Sequence, residues 1–345
     1  MTKLIDFKKN INDNDLNEIK NIILNNGIIV FPTETVYGIG ANIYSEEAIE
    51  KIFKAKGRPN DNPLIVHISN MDMLDGLVSK VDDISLKLMD NFWPGALTII
   101  LPKTNKVSNS ITASLDTVGV RMPSSAIALK IIEACNEPLA APSANISGKP
   151  SGTNIEDIYN ELNNKVDAIV DGGNTDIGLE STVVKVIGDT VHILRPGKVT
   201  KEDIASIGLK VFDNNINAKI PEDEKVMAPG MKYRHYAPTA EAILVFSEDN
   251  EKMIGKIKDI INQNKNKKII VIASTENKEK YNTRYLIMGS KNDMEEISQN
   301  IFSLLRKADQ EEPDLIIIEG VKSSNIGTAI MNRLLKACSH NYIEI

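Results

Sequence analysis

The chain has 345 residues, of which 42% are hydrophobic and 25% charged, and its formal net charge is −7. This length exceeds one typical core, so we expect two domains, and the acidic balance disfavours broad adhesion to nucleic acids or membranes. Two cysteines, Cys135 and Cys338, exclude a disulfide framework and a cysteine-rich zinc site. The start MTKLIDFKKN lacks a signal-peptide core, and no apolar segment reaches the ~18–20 residues that span a bilayer, so we expect a cytoplasmic protein without membrane contact.

The first 210 residues alternate between helical and strand patterns. A helix is predicted over 15–27, ending at Gly27, and a second over 45–57, with Ser45 as its N-cap. Between them, the sequence IIVFPTETVYG predicts a buried strand running into a polar turn. Further strands are predicted at 64–68, 96–101, 118–122, 139–143, 167–170, 181–187 and 191–195. Many strands with few intervening helices indicate an α/β domain built on a mixed sheet.

Residues 211–240 show neither the helical nor the strand periodicity of apolar residues, and they contain three prolines. This segment is predicted to be an interdomain linker, longer than most connections. It carries Arg234, His235 and Tyr236, and its aromatic content is unlike that of a disordered tail. We therefore expect it to act as a lid that brings cations to a bound polyanion and excludes water.

Residues 241–345 show a cleaner alternation of strands and helices. The apolar strands are nearly continuous, which is typical of a parallel sheet covered on both faces. A smaller Rossmann-like α/β domain is therefore predicted. Its strands are expected at 242–246, 268–274, 285–289 and 314–320, and its helices at 250–263, 292–308 and 326–337.

Although the chain as a whole is acidic, three cationic residues fall within one span of five positions: Lys54, Lys56 and Arg58. Cations near a helix C-terminus complement the helix dipole wherever they occur. Alternatively, a guanidinium and an ammonium group in a loop bind phosphate or carboxylate. Because Arg58 lies between Gly57 and Pro59, it follows the helix on a restricted backbone. Spacing alone leaves both interpretations open.

Two other segments, FPTETVYGIGAN (31–42) and APSANISGKPSGT (141–153), combine hydroxyl side chains with small residues. Neither is a known nucleotide fingerprint. Ile43 occupies the position of a third glycine in the first, and Pro150 replaces the magnesium-binding Ser or Thr of a P-loop in the second. A nucleotide would therefore be held in some other way.

Polar side chains also occur at several strand ends, where ligands of α/β folds collect. Arg121, Ser181 and Arg195 are examples. His67 and His235 lack partners at metal-ligand spacing, so we predict no metal site built from protein side chains alone. No nucleophile elbow or Cys–His pair is present. The residues indicate an enzyme-like protein that binds a polyanion and a small polar substrate.

Taken in order, these motifs resemble the YrdC-type threonylcarbamoyl-AMP synthase family. They are FPTETVYGIGAN, KAKGRPNDNPLIVHI, WPGALTIIL, VGVRMPS, AAPSANISGKPS, GLESTVV and LRPG. The later sequences APGMKYRHYAP and IGTAIMNRLLKA resemble the long, two-domain form. The resemblance covers nearly the whole chain and implies a twisted mixed sheet around a basic cavity.

The resemblance implies that L-threonine, bicarbonate and ATP give threonylcarbamoyl-AMP and pyrophosphate. It implies Mg²⁺ carried on the triphosphate, and a downstream tRNA threonylcarbamoyl-transferase complex that modifies the adenosine next to the anticodon. Lys56 and Arg58 would be catalytic. ATP would be bound by Arg58, Asn62, Thr117, Ser143, Asn145, Ser151, Arg195, Arg234, His235 and Tyr236. L-Threonine would be bound by Thr35, His67, Arg121, Ser181 and the backbone of Ala141.

Two rival classes share this domain. One is a double-stranded RNA-binding module, which the acidic chain and the pocket-like arrangement of its cations disfavour. For the same reason we do not expect direct tRNA binding. The other is a carbamoyl-transfer maturation enzyme, which carries zinc-binding cysteine pairs that this sequence lacks.

Overall fold

The computed structural model describes residues 1–213 and 235–345. These residues form two compact units, one of 1–147 and 151–213 and the other of 148–150 and 235–345. Most of the predicted linker, including Arg234, lies outside the described residues, and so does the lid expected there. Its first three residues belong to a strand that ends at Asp213.

An eleven-stranded mixed sheet forms the first unit, as the sequence predicted. Its strand order is β1-β8-β2-β3-β7-β4-β6-β5-β9-β10-β11. The strands are β1 (Lys3–Asp6), β2 (Ile29–Pro32), β3 (Tyr37–Asn42), β4 (Ile65–His67), β5 (Leu97–Pro102), β6 (Thr117–Arg121), β7 (Leu139–Ala140), β8 (Ala168–Asp171), β9 (Thr182–Ile187), β10 (Thr190–Arg195) and β11 (Lys210–Asp213).

Seven α-helices belong to the described part of this unit. They are α1 (Asp13–Leu24), α2 (Glu46–Lys56), α3 (Asp83–Phe92), α4 (Asn109–Thr112), α5 (Ala126–Cys135), α6 (Ile155–Leu162) and α7 (Lys201–Ser206). Helix α2 begins as predicted, because the Ser45 side chain accepts a hydrogen bond from the Ala48 N–H. Helices α3 to α7 were not predicted from the sequence.

One local prediction was incomplete and another was wrong. The strand β2 runs into a polar turn at 33–36 as predicted, but the sequence missed β3, which pairs with β2 as an antiparallel hairpin around that turn. The strand predicted at 139–143 is only Leu139–Ala140. Beyond it, the Ala141 N–H donates to the Ile65 carbonyl oxygen and the Pro142 carbonyl oxygen accepts from the Ile39 N–H, but Pro142 has no N–H to donate to the ladder.

The second unit contains a five-stranded sheet in the order β14-β13-β15-β12-β16. Every described pairing in it is parallel, which confirms the predicted Rossmann-like class. Its elements are β12 (Glu241–Phe246), α8 (Asn250–Gln263), β13 (Ile269–Ser274), β14 (Arg284–Gly289), α9 (Met294–Gln310), β15 (Leu315–Glu319), α10 (Ile326–Ala337) and β16 (Tyr342–Glu344). Among the residues described in either unit, no helix is both long and apolar enough to cross a bilayer.

Candidate active site

One face of the first sheet carries several of the predicted site residues. In the parallel pair β4–β6, Ile65 lies opposite Gly119 and His67 opposite Arg121. Because side chains alternate along a strand, these residues share a face, whereas Val66, Val118 and Val120 point into the main core. The predicted site face is therefore separate from the core face.

A small apolar floor lies on this same face. It consists of Ile65, Ile100, Val183 and Leu194, all buried. Gly119 adjoins it, where an added Cβ would lie 3.2 Å from Ile100 Cδ1 and 3.3 Å from Thr98 Cγ2. The glycine therefore keeps the middle of the floor open between the polar ends of the strands.

Arg121 is the centre of a buried polar group at the carboxyl end of β6. Its Nη1 donates to Thr35 Oγ1 at 2.9 Å, its Nε donates to the Gly95 carbonyl oxygen at 3.1 Å, and its Nη2 lies 2.7 Å from Glu34 Oε1 as an ion pair. Thr33 Oγ1 lies 2.7 Å from Thr35 Oγ1. The β2–β3 turn thus presents the Glu34 carboxylate and the Thr35 hydroxyl to one guanidinium, and Thr33 contacts the Thr35 hydroxyl.

The Glu34 carboxylate remains ionised in this setting. Burial raises its pKa, but the charge and the hydrogen bond of Arg121 lower it more, so the pKa lies below its ordinary value. Glu34 Oε1 also accepts a hydrogen bond from the Ser124 N–H at 3.2 Å. The ion pair holds the guanidinium beside the β2–β3 turn.

His67 lies beside Arg121 and is 3% exposed. Burial lowers its pKa to about 3, and the positive charge of Arg121 contributes in the same direction. Its Nδ1 atom has no hydrogen-bond partner in the structure. A buried nitrogen of this kind is available to a ligand, and the ring that offers it is neutral at physiological pH.

The lowered pKa of His67 predicts how stability depends on pH. Between pH 7 and pH 5 the unfolded chain takes up a proton at this residue, with an ordinary pKa of ~6.5, whereas the folded chain does not. Acidification should therefore destabilise the wild type by about 2 kcal/mol more than a His67→Gln variant over this range. Urea unfolding of both proteins at pH 7 and pH 5 measures the difference, and equal pH dependence in the two would contradict it.

Ser181 and Arg195 meet at the start of β9. Arg195 donates from Nε and Nη2 to the Ser181 carbonyl oxygen, at 3.1 and 2.9 Å, and from Nη2 to Ser181 Oγ at 3.2 Å. Ser181 Oγ also lies 2.8 Å from Thr98 Oγ1. A register shift in β10 pairs Arg195 with Val183 of the floor, although strict alternation would place it with the core residue Ile193. This irregularity directs the cation to the site face.

Lys56 lies at the end of α2 and is 2% exposed. Its Nζ donates to the carbonyl oxygens of Ser143 and Asn145, the latter at 2.9 Å, and lies 3.4 Å from Asn145 Oδ1. Ser143 Oγ in turn donates to Asn145 Oδ1 at 2.6 Å. The predicted catalytic lysine and the predicted ATP-binding pair therefore form one connected group, in which the ammonium group holds the 143–145 loop.

Arg58 and Asn62 lie before β4, at the opposite end of the strand from His67. Arg58 Nη2 donates to the carbonyl oxygens of Asn62 and Pro63, at 3.0 and 3.1 Å. The Asn62 side chain is 1% exposed, yet neither its Nδ2 nor its Oδ1 has a hydrogen-bond partner. Such an amide is costly unless a ligand or water satisfies it. Thr117 begins the neighbouring strand β6, at this same end of the parallel pair.

Ser151 is fully buried and donates from Oγ to Glu180 Oε1 at 2.5 Å. Tyr236 belongs to the second unit, where its ring stacks on Phe302 with a centroid distance of 5.1 Å. The Arg333 guanidinium lies 5.5 Å from the Tyr236 centroid, and His235 contacts the same ring. These contacts define the packing of Tyr236, and its predicted role in ATP binding stays a prediction.

Sequence reasoning missed three polar residues of the site: Glu34, Thr98 and Glu180. A signal existed for Glu34, which stands between two threonines in a glycine-rich segment, and for Glu180, which precedes Ser181. Their partners, Arg121 and Ser151, are remote in sequence. Only the fold shows that each carboxylate is already engaged.

The described residues of both units contain no group of three His, Cys, Asp or Glu side chains placed to hold a metal ion. The site carboxylates, Glu34 and Glu180, are occupied by Arg121 and Ser151.

The fold and the site define an α/β enzyme that positions anionic and hydroxylated small molecules with cations, hydroxyls and amides at strand ends. Two family models match the chain: Sua5_yciO_yrdC, described as telomere recombination, over residues 21–197, and threonylcarbamoyl-AMP synthase, C-terminal domain, over 199–339. The threonylcarbamoyl-AMP synthase of Pyrococcus abyssi is 42% identical over 349 residues, which cover 100% of both chains. That of Bacillus subtilis is 41% identical over 336 residues, covering 96% of this chain and 95% of its own.

A solved structure agrees with these relatives. The crystal structure of P. abyssi Sua5 complexed with L-threonine has a TM-score of 0.93 and 40% sequence identity, and the match covers 100% of both chains. The chain belongs to the two-domain Sua5/YrdC family of threonylcarbamoyl-AMP synthases, which confirms the predicted resemblance. It is an enzyme of the nucleotidyltransferase class.

Proposed function

We propose that this enzyme makes L-threonylcarbamoyl-AMP and pyrophosphate from L-threonine, bicarbonate and ATP. The product would then pass to a tRNA threonylcarbamoyl-transferase complex that modifies the adenosine next to the anticodon. The proposal is supported by relatives named threonylcarbamoyl-AMP synthase along the whole chain, and by the threonine-bound structure of the P. abyssi protein.

One observation on this chain carries the proposal: polar groups that could bind ligands lie at opposite ends of the β4–β6 pair. The buried Arg121 and the unpartnered His67 Nδ1 are at the carboxyl end, and the half-buried Arg58 with the buried, unpartnered Asn62 amide is at the amino end. The four steps along β6 from Thr117 to Arg121 span ~13 Å. This separation accommodates an amino acid at one end and the polyphosphate of a nucleotide at the other.

The residues at the carboxyl end suit L-threonine. The Arg121 guanidinium would bind the substrate carboxylate, and the Thr35 and Ser181 hydroxyls would bond its polar groups. The neutral His67 ring adds a hydrogen-bond acceptor or donor without adding charge. A site that hydrogen-bonds a hydroxyl rejects analogues without one, because its own polar groups would be left unpaired.

The proposed chemistry needs no covalent enzyme intermediate. The threonine amine adds to the carbon of bicarbonate, and water leaves to give the carbamate. A carbamate oxygen then attacks the α-phosphorus of ATP, and the bond to the bridging oxygen breaks to release pyrophosphate. The protein contributes by aligning the two substrates and by offsetting charge on the phosphates. This division of labour accounts for a site without a nucleophile–base pair.

Magnesium would be the cofactor, bound to the phosphate oxygens of ATP, where it offsets negative charge on the triphosphate. Arg58 and the side-chain amide of Asn62 would contact the phosphates or the nucleoside part of ATP. Thr117, Ser143, Asn145, Ser151 and Arg195 would complete this half of the site. His235 and Tyr236 from the second unit, and Arg234 outside the described residues, are proposed for ATP on the resemblance alone.

The proposal is tested by measuring pyrophosphate release from ATP with threonine, bicarbonate or magnesium omitted in turn. Full release should require all three, and the product should be recovered as the carbamoyl adenylate by mass spectrometry. Threonine-independent release at the full rate would contradict the proposed substrate. Salt-dependent binding to double-stranded RNA without any such release would instead support the rival binding-module hypothesis.

Arg58 provides a prediction for the ATP half of the site. Replacing it by alanine should lower product formation tenfold or more, because one charge-assisted contact to phosphate contributes about 1.5–3 kcal/mol. Lys54→Ala is the matched control, since Lys54 is an exposed cation on the last turn of α2, the helix that precedes Arg58. Initial rates measure product formation by both variants, and circular dichroism checks that they fold. Wild-type turnover by a folded Arg58→Ala variant would exclude a phosphate-binding role for Arg58.

A further inference from the structure

A cavity of about 320 Å³ lies in the second unit, at the carboxyl ends of its parallel strands. None of its lining residues belongs to the site described above. The lining includes Phe246 at the end of β12, Ser247 directly after it, Lys291 after β14, and Gly320, Val321 and Lys322 after β15.

The position of the cavity follows from the strand order. From β12 the chain crosses β15 to reach β13, whereas from β15 it crosses β12 to reach β16. Because such crossovers are right-handed, α8 and α10 lie on opposite faces of the sheet. The loops after the neighbouring strands β12 and β15 therefore diverge and leave a crevice between them. This topological switch point is where open parallel sheets bind ligands.

The walls of the cavity are partly apolar and partly cationic. Phe246, Met294 and Val321 give apolar surface, while Lys291 and Lys322 bring two cations. Gly320 brings the β15 loop close to β12, because an added Cβ would lie 2.7 Å from Phe246 Cβ. The exposed Glu248 also lines the cavity. The arrangement suits a ligand with an apolar, planar part and an anionic end.

A buried polar network underlies the cationic end. Glu319, fully buried, accepts hydrogen bonds from Ser274 Oγ at 2.8 Å, Asn277 Nδ2 at 2.9 Å and Tyr281 OH at 2.7 Å. Burial, together with the neighbouring Glu319 charge, raises the pKa of Tyr281, so its hydroxyl remains a donor.

This network reaches the cavity through Lys291. The Lys291 ammonium lies 3.7 Å from Glu319 Oε2 and donates to Asn250 Oδ1, and its side chain is 26% exposed. Asn250 is itself fixed by a reciprocal pair of 3.0 Å hydrogen bonds with Asn277. A cation held in this way is preorganised beside the cavity, which an ordinary surface lysine is not.

We propose that this cavity is a mononucleotide-binding site, separate from the site of the synthase reaction. The base lies against Phe246, Met294 and Val321, and the phosphate is bound by Lys291 and Lys322. The volume is at the lower end of the range of ~300–1,000 Å³ for ligand pockets, so it suits one nucleotide and not a dinucleotide. The inference rests on the second unit alone and is independent of the proposed function.

The test uses the full chain with ¹³C-methyl-labelled methionine and AMP as the probe. Met294 lines the cavity, and a Met294→Leu variant assigns its methyl resonance. AMP should shift this resonance saturably. Lys322→Glu should raise the Kd for that shift by about tenfold or more, because it replaces an attractive charge by a repulsive one. Lys258→Glu, an exposed lysine of α8 outside the cavity lining, should leave the Kd unchanged.

Adenosine and inorganic phosphate are titrated in the same way, and each should bind more weakly than AMP. Three results would each overturn the proposal. They are no shift of the Met294 resonance at millimolar AMP, a Kd that Lys322→Glu does not change, and binding of adenosine or phosphate as tight as that of AMP.

Discussion

Replacing Arg121 by alanine is expected to abolish nearly all threonine-dependent pyrophosphate release and to destabilise the fold. The guanidinium is 4% exposed and is held by Glu34, Thr35 and the Gly95 carbonyl oxygen. Its removal leaves the Glu34 carboxylate buried without its counter-charge, which typically costs about 3–5 kcal/mol. The substrate carboxylate also loses its charge-assisted partner. We therefore expect kcat/KM for threonine to fall about 100-fold or more.

A double variant separates the two effects. Arg121→Ala combined with Glu34→Gln removes the buried charge along with its partner, so much of the stability should return. Activity should not return, because no guanidinium is left to bind the threonine carboxylate. Urea unfolding and steady-state rates of the single and double variants are the measurements. Recovery of activity together with stability would show that Arg121 serves the fold and not the substrate.

Replacing Lys56 by alanine should mainly damage the use of ATP. The Lys56 ammonium donates to oxygens of Ser143 and Asn145, so the variant leaves buried acceptors unsatisfied at a cost of about 1–3 kcal/mol each. The 143–145 loop should then move away from its ATP-binding arrangement. We expect KM for ATP to rise tenfold or more, with a much smaller change in KM for threonine.

Lys51→Ala is the matched control for this prediction. Lys51 lies on the same helix but is only half-buried. It donates to the Asn26 carbonyl oxygen at 2.8 Å and forms an i,i+4 ion pair with Glu47 at 2.8 Å, an interaction of small energetic value. Its removal should change neither KM. If Lys56→Ala raises both KM values equally, its effect is not confined to the 143–145 loop, and if it lowers kcat alone, Lys56 acts on the reaction and not by positioning the loop.

Helix α2 and the second unit show what the sequence was able to predict. The Ser45 N-cap and the apolar periodicity defined α2 to within one residue. In the second unit the predicted helices 250–263 and 326–337 coincide with α8 and α10. These features are local, because capping and periodicity act over a few residues. The ordered motifs likewise identified the family, which the comparisons confirm.

Prediction failed where distant residues decide the structure. The sequence predicted the first strand and the turn of the β2–β3 hairpin but not its second strand, because YGIGAN is rich in glycine and has little local strand preference. Its pairing with β2 on one side and with β7 on the other stabilises it instead. Tertiary pairing here overrides local propensity.

The sequence by itself determined the class of each domain, the order of the motifs and the absence of a cysteine framework, since composition and periodicity encode these directly. Only the tertiary structure decided which charges meet. It joined Thr35 to Arg121 across 86 residues, directed Arg195 to the site face through a strand irregularity, and attached Lys56 to the 143–145 loop. Such contacts depend on strand register and side-chain direction, which arise when the sheet assembles and are not written in any local pattern.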